Sequence, residues 1–163
     1  MKYKEPRWIK SIPKGSHGTK SNPITFRYWK ITSDYVRIHD WYKYKGKCVS
    51  CNRVIDNWQE GQAAHFKSWG QSNSWAKYNL DNLALSCSHC NHIDDGLIGY
   101  TFGEVLVARK GEDIIQKIEK YDNEQRGKKM EAWVIEKKIL ELIDMFEELP
   151  EQPDYILTAK SYM

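Results

Sequence analysis

Four cysteines in two pairs of identical spacing, Cys48-Val-Ser-Cys51 and Cys87-Ser-His-Cys90, constrain this chain more than any other feature. Two CxxC pairs supply four soft thiolates, the donor set of a closed tetrahedral zinc site. Each short knuckle places two ligands on one side of a metal, and the ion then closes the 35 residues between the pairs into a loop. Such a loop can be ordered without a large core of its own. A disulfide framework and redox use of a single CxxC are the alternatives. The first belongs to small secreted domains, and no apolar run follows Met1 to mark a secretory signal. The second leaves one pair without a role. Structural Zn²⁺ is the expectation.

With 163 residues and 40 % hydrophobic content, the chain fits one compact domain. It lacks the apolar run of about 18 residues that a membrane span needs, so a soluble protein with reduced thiols is expected. The net charge of +3 hides its distribution. Residues 1–47 carry 12 Lys+Arg against 3 Asp+Glu, residues 48–110 carry 5 against 6, and residues 111–163 carry 8 against 13. A basic front end predicts contact with a polyanion.

Residues 1–24 hold Pro6, Pro13, Gly15, Gly18 and Pro23 among scattered lysines, which predicts a basic, flexible arm that Trp8 and Ile9 could pin in part. From Thr25 to Tyr44 the residues Tyr28, Trp29, Ile31, Tyr35, Val36, Ile38, Trp41 and Tyr42 recur at gaps of three and four. This predicts an amphipathic helix ended by Gly46. Its aromatics read first as a core stripe and second as stacking platforms for bases. Arg27, Lys30, Arg37 and His39 decorate the other faces. Arg27, Lys30 and Arg37, with Lys67 beyond the first knuckle, are the candidate nucleic-acid contacts.

Between the knuckles, Asn52 to Gly61 is turn-rich, Gln62 to Lys67 reads as a short strand, residues 68–74 as a polar loop, and Leu83 to Ser86 as a second strand. A helix is expected from about Cys90 or Asn91. Gly99 to Lys120 reads as its continuation with a break at Gly111, and Asp122 to Lys129 as a charged linker. Met130 to Leu149 carries an apolar stripe and stops at Pro150, predicting a helix that packs on the Thr25–Tyr44 helix or, alternatively, forms a homodimer seam. The tail after Glu151 is too short and mixed to assign. The predicted organisation is thus an arm over 1–24, a zinc module with its preceding helix over 25–121, and a C-terminal helix and tail over 122–163.

The order of knuckle, strand, loop, strand, knuckle and helix resembles the HNH, or ββα-metal, endonucleases. Ser33-Asp34-Tyr35-Val36-Arg37-Ile38-His39-Asp40, the first CxxC, Gln62-Ala63-Ala64-His65-Phe66, Asn82-Leu83 and Cys87-Ser88-His89-Cys90-Asn91 together are similar to the phage NinG (Rap) recombination-endonuclease family. The likeness covers about Tyr28 to Tyr121. It implies an α+β fold with a zinc-stapled, treble-clef-like ββα-metal module and flanking amphipathic helices. It also implies a cytoplasmic phage protein, acting in the host cell, that cuts branched DNA. His65 matches the general base that takes a proton from the water attacking phosphorus, a task suited to a near-neutral imidazole. Asn82 matches the residue that orients this histidine. Asn91 matches a ligand position for a catalytic Mg²⁺ or Mn²⁺, since an amide oxygen suits a hard cation.

Some positions depart from the pattern. Where many HNH enzymes place a metal ligand immediately before the base, this chain has Ala64. On a helix beginning at Asn91, Asp94 and Asp95 share its face, and either is expected to supply the missing carboxylate. Ile93 replaces a histidine of the NinG pattern, His92 sits one place earlier, and Gly96-Leu97 replaces a Gly-Asn. His89 reads as a surface or supporting residue, and His17 and His39 as non-catalytic. Two readings from other classes use the same cysteines: a non-catalytic zinc module that binds nucleic acid, and a zinc-dependent protein-interaction scaffold. The first has no use for His65, and the second none for the charge asymmetry.

Overall fold

A computed structural model describes residues 3–68, 74–92 and 96–163. Seven helices are described: α1 Arg7–Ser11, α2 Ile24–Lys43, α3 Ser88–His92, α4 Gly96–Lys110, α5 Ile114–Gln125, α6 Ala132–Met145 and α7 Asp154–Ser161. Strands β1 Gln62–His65 and β2 Leu83–Ser86 form an antiparallel pair with Gln62 opposite Ser86 and His65 opposite Leu83. The architecture is α+β. No helix among the described residues is long and apolar enough to cross a membrane.

The contacts divide the chain into two compact units. One comprises Met1–Tyr35 with Lys129–Met163, the other Val36–Lys128. Helix α2 contributes to both, so its regular amphipathic spacing gives no sign of the division.

In the first unit, the segment expected to be a flexible arm is folded. Trp8 and Ile9 on α1, and Ile12 after it, are buried, and burying large apolar groups is worth roughly 1.5–3 kcal/mol each. The loop that follows is tied to α2. The Gly15 amide donates to the Phe26 carbonyl, and Thr19 N–H donates to Thr25 Oγ1 at 2.8 Å. Gly18 packs so closely that a Cβ there would lie 2.5 Å from the Phe26 ring. Helix α6 turns Ile135, Ile139, Leu142 and Ile143 inward, the i, i+4, i+7, i+8 stripe of a half-buried helix. Phe146, just beyond it, meets Tyr35 edge to face at 5.5 Å. The unassigned tail forms α7, which packs on α1; its Tyr155 hydroxyl donates to buried Asp34 at 2.8 Å.

In the second unit the hairpin is the centre. Ala64, Ala84, Val49, Phe102, Leu106, Ile114 and Ile118 form one apolar cluster, bringing α4 and α5 against the strands. Cys48, Ile55, Leu85, Cys87 and Cys90 form a second, with Trp41 beside it. Gly46, at φ +68°, ends α2 with its amide donating to the Trp41 carbonyl, a left-handed position that favours glycine. Asp40 is buried, and its carboxylate accepts the Leu85 amide at 2.9 Å, fixing the end of α2 to β2. Gly111, at φ +107°, separates α4 from α5. Helix α5 runs on through Asp122 to Gln125, where a linker was expected, because Asp122 is buried and salt-bridged to Lys67.

Candidate metal centre and histidine hairpin

The two knuckles are brought together by the hairpin. The first lies in a loop closed by the Cys48 amide donating to the Arg53 carbonyl, and the Val49 amide donates to Leu85 on β2. The second begins where β2 ends and is wound into α3, which starts at Ser88, within the knuckle and earlier than expected. The four sulfurs lie within 4.8 Å of one another, and Cys51 Sγ is 3.8 Å from Cys87 Sγ. A tetrahedral ion with Zn–S bonds of about 2.3 Å has S–S edges of about 3.8 Å. None of the four is in a disulfide. The donor set and its spacing fit structural zinc.

The electrostatics agree with that fit. Burial works to raise the Cys48 thiol, but N–H groups around the knuckles and the Ser86 hydroxyl outweigh it and leave its pKa at about 6. Burial pushes the Cys90 thiol up, and the neighbouring thiols of Cys51 and Cys87 push it further. Cys51 is also raised, chiefly by burial. A pocket that favours the Cys48 thiolate and disfavours those of Cys51 and Cys90 needs a divalent cation to hold four thiolates together. Among the described residues, no other group of three or more His, Cys, Asp or Glu side chains converges in this way.

His65 closes β1. Its Nε2 lies 2.8 Å from the Lys77 carbonyl oxygen, which can only accept, so Nε2 is the donor and the lone pair of the neutral ring sits on Nδ1. Asn82 does not bond His65. Its Oδ1 accepts the Lys67 amide at 2.7 Å, and its Nδ2 donates to the carbonyls of Lys67 at 3.2 Å and Ala76 at 3.1 Å. Both amide hydrogens are therefore used. Asn82 holds the turn at Ala76, and the next carbonyl, that of Lys77, receives the imidazole.

The family model described as the bacteriophage lambda NinG protein matches residues 24–147. The chain belongs to the NinG family. No curated protein and no solved structure matched. The NinG match runs across the whole cysteine and hairpin unit and into the helices on either side.

The remaining expected positions fare unequally. Asn91 is exposed on α3, and its Nδ2 donates to Gln62 Oε1. Gln62 and His65 stand at opposite ends of β1, about 10 Å apart at roughly 3.3 Å per residue, and alternation puts their side chains on opposite faces. Asn91 is thus tied to the hairpin through Gln62, and none of its described bonds reaches His65. Asp94 and Asp95 lie outside the described residues. Ala64 faces the apolar cluster with Phe102 and Leu106. His89 is exposed, and His92 Nδ1 donates to the Ser88 carbonyl of its own helix.

The four basic residues expected on DNA are held by the protein. Arg27 Nε is 3.1 Å from Glu5 and the same guanidinium donates to the Ile12 carbonyl. Lys30 pairs with Asp34 at 2.8 Å. Arg37 donates to the Gln59 and Gly61 carbonyls and stacks over Trp58. Lys67 lies 2.7 Å from both Glu119 and Asp122, whose carboxylates raise its pKa. Lys43, Lys45, Lys47 and Arg53, by contrast, are exposed around the first knuckle and have no ion pair among the described residues. Their signal in the sequence is the alternation Lys43-Tyr44-Lys45-Gly46-Lys47, which the aromatic periodicity of the preceding helix masks.

Proposed function

We propose that the chain is a metal-dependent endonuclease that hydrolyses DNA phosphodiester bonds, with branched or recombination-intermediate DNA as substrate. Membership of the NinG family and the four-cysteine centre support the reading. The observation that carries it is the state of His65, fixed on a zinc-stapled hairpin with Nε2 donating to Lys77 O and the lone pair on Nδ1. Nδ1 takes a proton from a water whose oxygen bonds to phosphorus as the P–O ester bond breaks. Asn82 keeps the imidazole in register by holding Ala76 and Lys67. Asn91 Oδ1, with Asp94 or Asp95, is the donor set assigned to Mg²⁺ or Mn²⁺. That ion would stabilise charge on the phosphate and the leaving oxygen.

The second reading, a non-catalytic zinc module that binds nucleic acid, is favoured by two observations. Ala64 is built into the apolar cluster, and Asn91 is bonded to Gln62, at the opposite end of β1 from His65. Cleavage of a labelled four-way junction, a flap and a plain duplex, with Mg²⁺, Mn²⁺ or EDTA, separates the two. Metal-dependent cutting by the wild type and none by folded His65→Ala is the expected result. Binding without cutting by either protein gives the answer to the second reading.

A further inference from the structure

The N-terminal segment that the sequence presents as a loose basic arm builds one side of an open groove of about 640 Å³. Three lysines line it from three separate places: Lys4 before α1, Lys10 in the last turn of α1, and Lys20 in the turn between Thr19 and Asn22. The framework is fixed. Asn22 Nδ2 donates to the Met130 carbonyl at 2.8 Å, tying the turn to the start of α6, and the Asn22 amide donates back to the Thr19 carbonyl. Tyr3, Ser21, Pro23, Ile24 and Ala132 also line it, as does one carboxylate, Glu5.

The carboxylates at hand do not neutralise these lysines. Glu5 is engaged by Arg27, and Glu136 accepts the Tyr3 hydroxyl at 2.8 Å. Lys4, Lys10 and Lys20 are exposed and form no ion pair among the described residues. Three lysines on the later helices differ: Lys117, Lys120 and Lys138 each have a carboxylate within about one helical turn. Three like charges around one concavity repel one another and focus a positive potential into it. That potential suits a chain of phosphates better than a single carboxylate ligand.

We propose that this groove holds the phosphate backbone of a nucleic-acid strand, with Lys4, Lys10 and Lys20 as its contacts. The proposal rests on the nucleic-acid reading above and names the surface that serves it, a different one from Arg27, Lys30, Arg37 and Lys67.

The test is fluorescence anisotropy of a labelled DNA duplex and a labelled four-way junction with the full-length, zinc-loaded chain across a range of salt. Three proteins are compared: wild type, Lys4→Gln/Lys10→Gln/Lys20→Gln, and the charge-matched control Lys117→Gln/Lys120→Gln/Lys138→Gln. Circular dichroism and thermal melts confirm that all are folded. Three lost phosphate contacts should flatten the plot of log affinity against log salt by about 2.7, roughly 0.9 per contact. Affinity should fall by about tenfold or more, with the control near wild type. Equal losses in both variants would reduce the effect to net charge and overturn the groove. Wild-type affinity in the groove variant would overturn it while leaving the DNA reading intact. No binding by the wild type would remove both.

Discussion

Asn82→Ala tests whether the asparagine is a piece of catalytic equipment or the tie that holds the hairpin's loop. The side chain is fully buried and makes three bonds to backbone, one accepted from Lys67 N–H and two donated to the Lys67 and Ala76 carbonyls. Alanine removes all three bonds: the Lys67 amide and carbonyl lose their bonds to the side chain, while the Ala76 carbonyl keeps the Asn79 amide at 3.2 Å. At about 1 kcal/mol per lost bond the destabilisation is about 3 kcal/mol, and the desolvation of stranded groups moves it upward. That is a large share of the roughly 5–15 kcal/mol that holds an ordinary domain together, and corresponds to a fall in Tm of roughly 6–12 °C for a chain of this size. Asn82→Asp should be worse, since it keeps an acceptor but sets a carboxylate oxygen against two carbonyls. His65→Ala gives a comparison: its bond to Lys77 O accounts for about 1 kcal/mol. Urea unfolding of the zinc-loaded proteins, followed by tryptophan fluorescence, orders the variants. If Asn82→Ala unfolded at the wild-type midpoint yet lost cleavage, the structural account of Asn82 would be wrong. If it proves unstable, loss of cleavage in that variant says nothing about catalysis.

The metal centre and one histidine provide further outcomes. Replacing Cys48 or Cys87 by Ser, or removing the ion with a strong chelator, should abolish the binding of one Zn²⁺ per chain. The same loss should strip hydrogen-exchange protection from β1 and β2, because the hairpin and both knuckles share one cluster; retained protection would make the zinc dispensable. His17 should titrate below the ordinary value of 6.5 by NMR, since burial disfavours its charged form where it packs edge to face on Trp29. Between its folded value and 6.5 the unfolded chain binds more protons, so stability falls as pH drops through that window. His17→Asn should flatten this part of the pH–stability curve, and an unchanged slope would place the effect elsewhere.

What could be read from the sequence was whatever depends on spacing along the chain. The cysteine pairs, the gaps of three and four in α2, the strand Leu83–Ser86 and the family pattern all have a local signature. What could not be read depends on partners far away. Pro6, Pro13 and the early glycines look like an irregular arm until Trp8, Ile9 and Ile12 are found buried. The tail resists assignment because α7 is short, and a helix of eight residues is made by packing more than by propensity. A basic side chain carries the same letter whether it faces solvent or Asp122, so Lys67 reads as a DNA contact while its ammonium bridges two carboxylates. Asn82 fits a conserved-looking motif position, yet nothing in one sequence separates an asparagine that touches an imidazole from one that holds the neighbouring loop.

Ala64 brings these strands of argument to one residue. In the HNH-type arrangement that the proposed activity invokes, a ligand stands immediately before the base, and alanine there looks like a deletion. The structure gives it a different character. Ala64 is packed with Val49, Ala84, Phe102 and Leu106, so its small size belongs to the contact between the hairpin and α4. A carboxylate at that position would be buried among apolar groups without a partner, at a cost of several kcal/mol, or would take up a proton and cease to be a ligand. The ligand therefore cannot be restored there by a single substitution, and α4 would have to stand further from β1 to admit it. Any catalytic ion in this chain has to be held from outside the Ala64 face, so the proposed hydrolysis requires its donors to come from Asn91 and the two aspartates, with His65 as the base.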